Sequence, residues 1–339
     1  MTKEIDRLIH DRISIPIVRE VYEEWKNRNL LDETLMFLNS LPANQAEPIR
    51  HSFITHVHKE KGLFVDIIGR NVGVRDHIRT PLAASADILW AISLMVDDIE
   101  DNDTTRGQME TCWKKYGVKQ TLNAAFSGVN SLCKHITQRA GNNLAGQSGA
   151  RYVELGLESL QRHKVMNLDT PPGEITRNYE ERCDFHGTFP LSVMFEVALN
   201  GRYPFEADRA IASLRYFNQA GQLINDLKDF IGGDLYRRDF SDIRRGVPTV
   251  PLVYMYQGLP EKQAKELKGF FGKGYVNQEE QIRLASMVAD SHVVQRTVRR
   301  IKDCYEQSLE LLSQVVDDTN MNWFKKWTDY KVNALKLEV

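Results

Sequence analysis

Two short acidic segments carry the residues whose types and spacing could do chemistry. They are residues 97–101, DDIED, and residues 225–229, NDLKD. In the first segment Asp97 and Asp101 stand four residues apart, and on a helix this spacing places both carboxylates on one face, ~5–6 Å apart. Like charges at that distance repel unless a cation lies between them. Because Mg²⁺ prefers hard oxygen ligands and leaves room for water and phosphate oxygens, the segment predicts a magnesium site.

The second segment repeats this geometry. Asn225 and Asp229 form an i, i+4 pair, with Asp226 beside them and Gln222 one turn earlier on the same side. Two helices that present such faces to a shared cavity would hold several Mg²⁺ ions, about three, and these ions could bind a diphosphate from both sides. The expected metal ligands are therefore Asp97, Asp98, Asp101, Asn225, Asp226 and Asp229.

An acidic run also has a simpler interpretation, a solvated helix end. Residues 82–96, LAASADILWAISLMV, precede the first segment and are apolar nearly all round, which is typical of a helix buried among other helices. A buried helix that ends in carboxylates, together with a second segment of the same spacing, favours the metal site. Such a helix would also line a water-free cavity, where an allylic cation is stabilised after a metal-bound diphosphate leaves.

The rest of the chain predicts an all-α protein. Apolar residues recur at helical spacing, sustained period-two alternation is missing, and only 11 prolines occur in 339 residues. We expect a single large helical bundle with a central cavity over residues 1–339, with N-terminal helices in residues 1–50 and a C-terminal helix or tail in residues 315–339. Loops are expected where Gly, Pro, Asn and Asp collect, including residues 39–47 and 69–79.

Composition argues against several classes of function. The chain has 44 basic and 46 acidic side chains and a net charge of −2, so no electrostatic argument favours nucleic acid as a partner. No apolar run is long enough for a membrane helix, and the charged N-terminal residues lack the apolar core of a signal peptide. We therefore expect no stable membrane anchor and a cytoplasmic location. The cysteines lack metal-ligand spacing and are expected to be reduced: Cys112, Cys133, Cys183 and Cys304.

These motifs resemble those of the trans-isoprenyl diphosphate synthases, an all-α family of the isoprenoid synthase fold with two aspartate-rich motifs. The similarity is carried by residues 88–107, 113–117, 221–234 and 241–254, and it extends loosely over residues 50–310. The resemblance implies that the aspartates of both segments bind Mg²⁺, that the substrate is an allylic prenyl diphosphate, and that the protein is a homodimer. Further residues that it implies at the diphosphate or the reacting carbons are Arg106, Arg237, His186 and Gln222.

Several positions depart from the family pattern, mainly where basic side chains would bind isopentenyl diphosphate. The family's Gly-Lys-x-x-Arg-Pro motif is replaced by THVHKEKG at residues 55–62, and Trp90 stands in place of a histidine. Gly107 replaces the second of two adjacent arginines, and Val247 replaces a lysine. Because each charge-assisted hydrogen bond is worth ~1.5–3 kcal/mol, these losses predict weak binding of isopentenyl diphosphate.

The same positions predict a roomy pocket. Trp90 would offer its ring face to a carbocation, an interaction worth ~0.5–2 kcal/mol, unless the ring is simply packed in the core. Gly221 stands where the family usually has phenylalanine, and Ile92 and Ser93 lie where bulky residues often form the floor. These residues are smaller than those the family usually carries there, which suggests a roomier pocket.

These observations lead to one main hypothesis and three alternatives. The main hypothesis is a terpene synthase that ionises farnesyl or geranylgeranyl diphosphate and quenches the cation internally or with water. Asn225 fits it, although Asp229 and Gly233 stand where terpene synthases carry Ser or Thr and then Glu. The first alternative is a chain-elongating synthase, and the others are a non-catalytic partner subunit and transfer to a non-isoprenoid acceptor. An elongating enzyme would use altered acceptor residues, namely His56, Lys59, or Arg244 and Arg245.

Overall fold

The computed structural model describes residues 2–106, 108–141, 143, 147–148, 150–151, 158, 166–187, 189–198, 205–231 and 240–335. These residues form helices joined by loops, with one short β-ribbon, so the predicted all-α fold is confirmed. The first helices are α1 (Thr2–His10), α2 (Pro16–Asn27), α3 (Leu30–Ser40), α4 (Ala43–Thr55), α5 (Glu60–Asn71), α6 (Asp76–Glu100), α7 (Cys112–Tyr116) and α8 (Val118–Ala140). The later helices are α9 (Pro172–Gly187), α10 (Phe189–Ala198), α11 (Phe205–Ile231), α12 (Ser241–Arg245), α13 (Val250–Gly258), α14 (Glu261–Phe270), α15 (Gln278–Asp290), α16 (Val293–Leu312) and α17 (Asp318–Asn333).

The chain divides into two compact units. The first comprises Met1–Tyr152, His186–Ile211 and Leu312–Trp327, and the second comprises Val153–Phe185, Ala212–Leu311 and Thr328–Val339. The single-domain organisation expected from the sequence stays a prediction, and each unit is described by itself.

Helix α6 is the centre of the first unit. It packs against α3, α4, α5, α8 and α10. Residues 82–89 are all buried, as the mostly apolar composition of this stretch predicts. The residues at the C-terminal end of α6 are therefore positioned by a buried and closely packed helix.

Gly62, on α5, lies where α5 and α6 approach each other closely. A Cβ atom at Gly62 would lie 2.2 Å from the Asp87 Oδ2 and 2.8 Å from the Ala83 carbonyl oxygen. Asp87 accepts hydrogen bonds from the indole Nε1 of Trp25 at 2.8 Å and from the Gly62 amide at 3.2 Å. The absence of a side chain at Gly62 thus lets two helices meet over a buried carboxylate.

A second buried carboxylate ties α2, α5 and α6 together. Asp66 is 1% exposed and accepts from Arg79 Nε at 2.7 Å and from Arg28 Nη1 at 2.8 Å. Arg79 also donates to the Val74 carbonyl oxygen at 2.8 Å. Two arginines on one carboxylate satisfy a charge that would otherwise be costly to bury.

A two-stranded antiparallel ribbon follows α6. Its strands are β1 (Thr105–Arg106) and β2 (Met109–Glu110), with Thr105 opposite Glu110 and Arg106 opposite Met109. Asn102 and Gln108 adopt left-handed backbone angles, with φ of 57° and 66°. These turns reverse the chain directly after the acidic end of α6 and bring Arg106 back towards it.

The second unit has its own apolar core, formed by side chains from α11, α12, α13, α14 and α15. Phe230 at the end of α11 and Phe240 before α12 are both buried in it, on either side of the residues that the structure does not describe. The remaining members include Ile243, Leu252, Met255, Leu267 and Leu284. Phe230 and Phe240 therefore anchor the chain directly after the second acidic segment and directly before α12.

The described cysteine side chains agree with the reduced state expected from the sequence. Cys112 and Cys304 are buried, Cys133 is partly buried, and all three are free thiols. The Cys183 side chain lies outside the described residues. None of the helices that the structure describes combines the length and apolar character needed to cross a bilayer.

Candidate metal and diphosphate site

The first acidic segment forms the last turn of α6. Asp97 is exposed and Asp98 is buried, while Asp101 is the C-cap residue, whose amide donates to the carbonyl oxygen of Asp97 at 2.8 Å. The C-terminal end of a helix carries about half a negative charge from its aligned peptide dipoles. Carboxylates at this end add to that negative charge, so a bound cation would stabilise the end of α6.

The positively charged Arg106 side chain contacts the first acidic segment. Its Nε atom donates to Asp98 Oδ1 at 2.8 Å, and its Nη2 atom donates to the same oxygen and, at 3.3 Å, to Asp97 Oδ2. Asp103 Oδ2 lies 3.8 Å from Nη2. The arginine that the sequence assigned to the substrate diphosphate is therefore bound to the carboxylates that were assigned to the metal.

Burial dominates the electrostatics of Asp98. Removal from water raises the pKa of this carboxyl to about 6, although the hydrogen bond and charge of Arg106 oppose the rise. The adjacent charges of Asp97 and Asp103 raise it further. A second positive charge near Asp98 would stabilise its ionised form, and a divalent cation would provide that charge.

The donor set fits Mg²⁺. It consists only of carboxylate oxygens, which are the hard ligands that this ion prefers. Asp98 is buried and paired with Arg106, Asp97 is exposed and also accepts from Arg106, and Asp101 is partly exposed. Water and phosphate oxygens could complete an octahedral shell at the two more exposed carboxylates. Asp97, Asp98 and Asp101 would hold the ion.

The second acidic segment lies near the end of α11. Asn225 is exposed, Asp226 is 7% exposed, and Gln222 donates from Nε2 to Asp226 Oδ1 at 2.8 Å. The predicted one-turn relation between Gln222 and Asp226 is thus a direct hydrogen bond. It holds one carboxylate oxygen of Asp226 in a fixed direction.

Asp229 has a structural task that the sequence did not predict. Its Oδ1 accepts from the Ser241 amide at 2.8 Å, and its Oδ2 accepts from the Asp242 amide at 3.1 Å. These amides begin α12, directly after Phe240, which has a left-handed φ of 53°. Each carboxylate oxygen has a second lone pair, so a metal ligand role is compatible with these bonds.

Several predicted residues cannot be placed. Arg237, Gly107 and Gly233 lie outside the described residues, as does the side chain of His186. Their roles stay predictions.

The predicted pocket residues lie in different surroundings. Ile92 is 3% exposed, and its Cδ1 would be 3.2 Å from a Cβ atom at Gly128, so it packs where α6 meets α8. Ser93 donates to the Trp90 carbonyl oxygen at 2.8 Å. A Cβ atom at Gly221 would meet no heavy atom within 4 Å, which agrees with open space at this position.

The Trp90 side chain is neither fully exposed nor fully buried in the core. It is partly buried, its ring lies edge-on to His56 at 5.9 Å between centroids, and the Nζ atom of Lys61 lies 4.4 Å from the ring centroid. The cation that this ring faces in the structure is a lysine of the same chain.

Lys59, one of the substitute acceptor residues considered from the sequence, is fully buried. Its Nζ atom donates to the carbonyl oxygens of Phe53 and His56, and it lies 3.6 Å from the centroid of the Phe53 ring. Burial lowers its pKa, while Asp87 and Glu60 oppose that shift. This ammonium group is engaged within the fold, which argues against the acceptor role considered for Lys59.

The sequence reasoning missed one group of residues on the same loop. His56, His58 and Glu60 each offer a ligand atom, and these atoms lie within 4.8 Å of one another. The sequence feature that could have identified this group is HVHKE at residues 56–60, where two histidines and a glutamate occupy every second position. From the sequence, this region was considered only for its missing basic side chains.

Comparisons with known proteins agree with the aspartate-bearing helical fold. The chain is similar to a solved decaprenyl diphosphate synthase from Rhodobacter capsulatus, with a TM-score of 0.78 and 15% identity over 96% of this chain and 99% of that one. It is also similar to a geranylgeranyl pyrophosphate synthase from Lactobacillus brevis, with a TM-score of 0.74 and 17% identity over 91% and 97% of the two chains.

A third similar structure is a polyprenyl synthase from Caulobacter crescentus, solved with calcium and isoprenyl diphosphate. Its TM-score is 0.69, with 16% identity over 97% of this chain and 93% of that one. A search of curated proteins found no match. The family model described as polyprenyl synthetase matches residues 46–288, which is more than half of the chain and includes both acidic segments. The chain therefore belongs to the polyprenyl synthetase family and is an enzyme of the class I isoprenoid synthase fold.

Proposed function

We propose that this enzyme is a magnesium-dependent isoprenyl diphosphate synthase that joins an allylic prenyl diphosphate to isopentenyl diphosphate. The observation that carries the proposal is the acidic end of the buried helix α6, where Asp98 is buried and held by Arg106. Family membership supports the same reaction class. The similar solved structures are a decaprenyl diphosphate synthase, a geranylgeranyl pyrophosphate synthase and a polyprenyl synthase. They favour the chain-elongating alternative over the terpene synthase that was the main hypothesis from the sequence.

The proposed roles follow from the ligand chemistry. Mg²⁺, about three ions, would neutralise the diphosphate and make it a good leaving group. Asp97, Asp98 and Asp101 would hold ions at the end of α6, and Asn225, Asp226 and Asp229 would do so near the end of α11. Arg106 would exchange its carboxylate partners for a phosphate oxygen, because the ions take over the role of its charge at Asp98.

Other residues would shape the reaction around the prenyl chain. Open space at Gly221 would admit a bulky hydrocarbon, and Gln222 would lie beside the reacting carbons because its hydrogen bond to Asp226 fixes its position. In the first unit, Ser93 and the partly buried Trp90 would contact the prenyl chain, and Ile92 packs between α6 and α8. His186 and Arg237 would add diphosphate contacts. We also propose a homodimer, which light scattering on the purified protein would test.

A second candidate function is a terpene synthase, and one observation favours it. In the segment where the family binds isopentenyl diphosphate, Lys59 is buried against backbone carbonyl groups and Lys61 lies over the ring of Trp90. Acceptor binding would then depend on other residues, such as Arg244 and Arg245. Without a bound acceptor, the carbocation would be quenched internally or by water.

Product analysis separates the two functions. The purified enzyme is incubated with Mg²⁺ and with geranyl, farnesyl or geranylgeranyl diphosphate, each with and without isopentenyl diphosphate. Longer prenyl diphosphates formed only with isopentenyl diphosphate support the synthase. Hydrocarbons or terpene alcohols formed without it, above the level of a reaction without enzyme, contradict that proposal and establish the terpene synthase. No turnover under any condition contradicts both functions and favours a non-catalytic subunit or transfer to a different acceptor.

A further inference from the structure

The loop between α4 and α5 brings three metal-ligating side chains together. His56 and His58 lie on the loop and are partly buried, and Glu60 is the buried first residue of α5. One ligand atom from each lies within 4.8 Å of the other two. Of the three, the sequence suggested only His56 as a substitute acceptor residue, and no role in the proposed reaction uses the three side chains together.

We propose that His56, His58 and Glu60 bind one divalent transition-metal ion of the zinc class. Two imidazole nitrogens and one carboxylate oxygen are a ligand set that Zn²⁺, Co²⁺ and Ni²⁺ prefer, whereas Mg²⁺ requires oxygen ligands. The site is thus chemically different from the all-oxygen segments at the ends of α6 and α11. It is also independent of which prenyl reaction the enzyme performs.

The separation of the ligand atoms suits closure around an ion. Zinc lies ~2.0–2.2 Å from its nitrogen and oxygen ligands, so two ligands of a tetrahedral ion are ~3.3–3.5 Å apart. The three atoms here are within 4.8 Å of one another, so each pair needs to approach by at most ~1.5 Å. Small rotations of two histidine side chains on a loop supply that movement, while Glu60 stays fixed by α5.

Aromatic neighbours hold the two imidazole rings near this arrangement. The ring of His56 lies edge-on to that of His58, with centroids 5.6 Å apart, and edge-on to Trp90 at 5.9 Å. His58 is perpendicular to the buried ring of Trp327, at 5.5 Å between centroids. Rings packed in this way lose less conformational freedom when a metal binds, because much of their ordering is already present.

The nearby charges allow a cation at this position. Lys59 is buried close to Glu60, but it also interacts with the buried carboxylate of Asp87, and its ammonium group donates to two carbonyl oxygens. Lys61 is directed at the face of Trp90. The positive charge of Lys59 is thus offset by Asp87, and Glu60 supplies a negative charge for the metal.

Three protein ligands leave one position of a tetrahedral ion for an exchangeable ligand. Sites with three ligands and one open position are typical of zinc ions that bind water or an anion, whereas purely structural sites have four protein ligands. The inferred ion would therefore carry a water molecule or an oxygen of a small anion in its fourth position.

The test measures metal binding to the full-length protein after removal of metals with a chelator. Zn²⁺ is titrated by isothermal calorimetry in excess Mg²⁺, which occupies the all-oxygen segments, and the absorption spectrum of the Co²⁺-loaded protein reports ligand geometry. We expect one high-affinity Zn²⁺ per chain and intense Co²⁺ bands typical of a tetrahedral site. The variants His58→Asn and Glu60→Gln should each weaken Zn²⁺ binding by more than ~10-fold, because loss of a ligand costs at least as much as loss of an outer partner.

Matched controls separate loss of the site from loss of the fold. His77→Asn, at an exposed histidine of α6, should bind Zn²⁺ like the parent protein, and circular dichroism should show unchanged helix content in all variants. If the parent protein binds no Zn²⁺ in excess Mg²⁺, or if folded His58→Asn binds it with parental affinity and the same Co²⁺ spectrum, the proposal is overturned.

Discussion

Arg106 donates two hydrogen bonds to a single carboxylate oxygen of Asp98. The oxygen is buried at the end of a central helix, and the guanidinium group reaches it from a β-ribbon that folds back on that helix. A cation supplied by the chain thus stabilises the acidic end of α6. Any metal ion that binds Asp98 must share this carboxylate with Arg106 or release the arginine.

The first prediction concerns this competition. Arg106→Gln should increase the affinity of the metal-free segment for Mg²⁺, because a competing charge is removed, and it should reduce kcat/KM for the allylic diphosphate by ~10²-fold or more because a charge-assisted contact to the substrate is lost. Calorimetric Mg²⁺ titration and steady-state kinetics measure the two effects. Arg75→Gln, at an exposed arginine before α6, is the control that should change neither quantity. Unchanged kinetics in Arg106→Gln would contradict the diphosphate role.

The second prediction tests the two acidic segments separately. Asp98→Ala and Asp226→Ala should each abolish release of diphosphate from an allylic substrate, because each removes a buried carboxylate that we propose as a metal ligand. Colorimetric detection of released diphosphate measures the effect, and far-ultraviolet circular dichroism checks the fold. Glu100→Gln changes an exposed acid of the first segment that no metal role requires, so it should keep activity. Normal turnover in either alanine variant would rule out the metal roles.

The third prediction concerns the contact between α5 and α6. Gly62→Ala should destabilise the protein by ~1–3 kcal/mol, because the added methyl group meets a buried carboxylate and a backbone oxygen, and one of them must move. The midpoint of urea unfolding measures the change. Gly269→Ala is the matched control, since nothing lies within 4 Å of its Cβ position and the glycine is inside α14. That variant should be neutral or gain ~0.5–1 kcal/mol.

The fourth prediction is a pH dependence of stability from Glu33. Burial acts to raise the pKa of this carboxyl, but hydrogen bonds and charges from His135 and Arg139 outweigh it and lower the pKa from 4.5 to about 2. A depressed folded-state pKa means that this stabilisation is fully present above about pH 4.5 and is lost as the pH falls towards 2.

Removal of the charge tests this sign. Glu33→Gln should cost about 3 kcal/mol at neutral pH, as the shift in pKa implies, and the difference from the parent protein should shrink with acidification below about pH 4.5. Urea unfolding at a series of pH values gives both results. Asp32→Asn, at the exposed neighbouring position, should leave the pH profile unchanged. A difference that is constant with pH would contradict the ion-pair explanation.

The sequence predicted local features well where one periodic pattern decided them. The apolar run over residues 82–96 predicted a buried helix, and the i, i+4 aspartates lie at its end as expected. The loop expected at residues 69–79 was too long, because α6 begins at Asp76. Its polar first turn is stabilised by Arg79, which is buried through its pair with Asp66. A partner thirteen residues away in the chain is invisible to local composition.

Charged residues with distant partners account for most of what was missed. Lys59 was considered as a substitute acceptor residue, but it is buried against the ring of Phe53 and interacts with the buried carboxylate of Asp87. Asp229 was read only as a metal ligand, although it also holds amides twelve and thirteen residues further along the chain. Motif spacing identifies which residues can carry chemistry, whereas their protonation and availability depend on tertiary neighbours.

The double role of Asp229 links metal occupancy to local opening of the chain. Because the carboxylate that would bind an ion also accepts from the Ser241 and Asp242 amides, an ion that draws it away weakens the start of α12. By thermodynamic reciprocity, whatever loosens α12 must change the affinity for the ion by the same factor. Hydrogen exchange at these two amides would then report the state of the second acidic segment without any turnover.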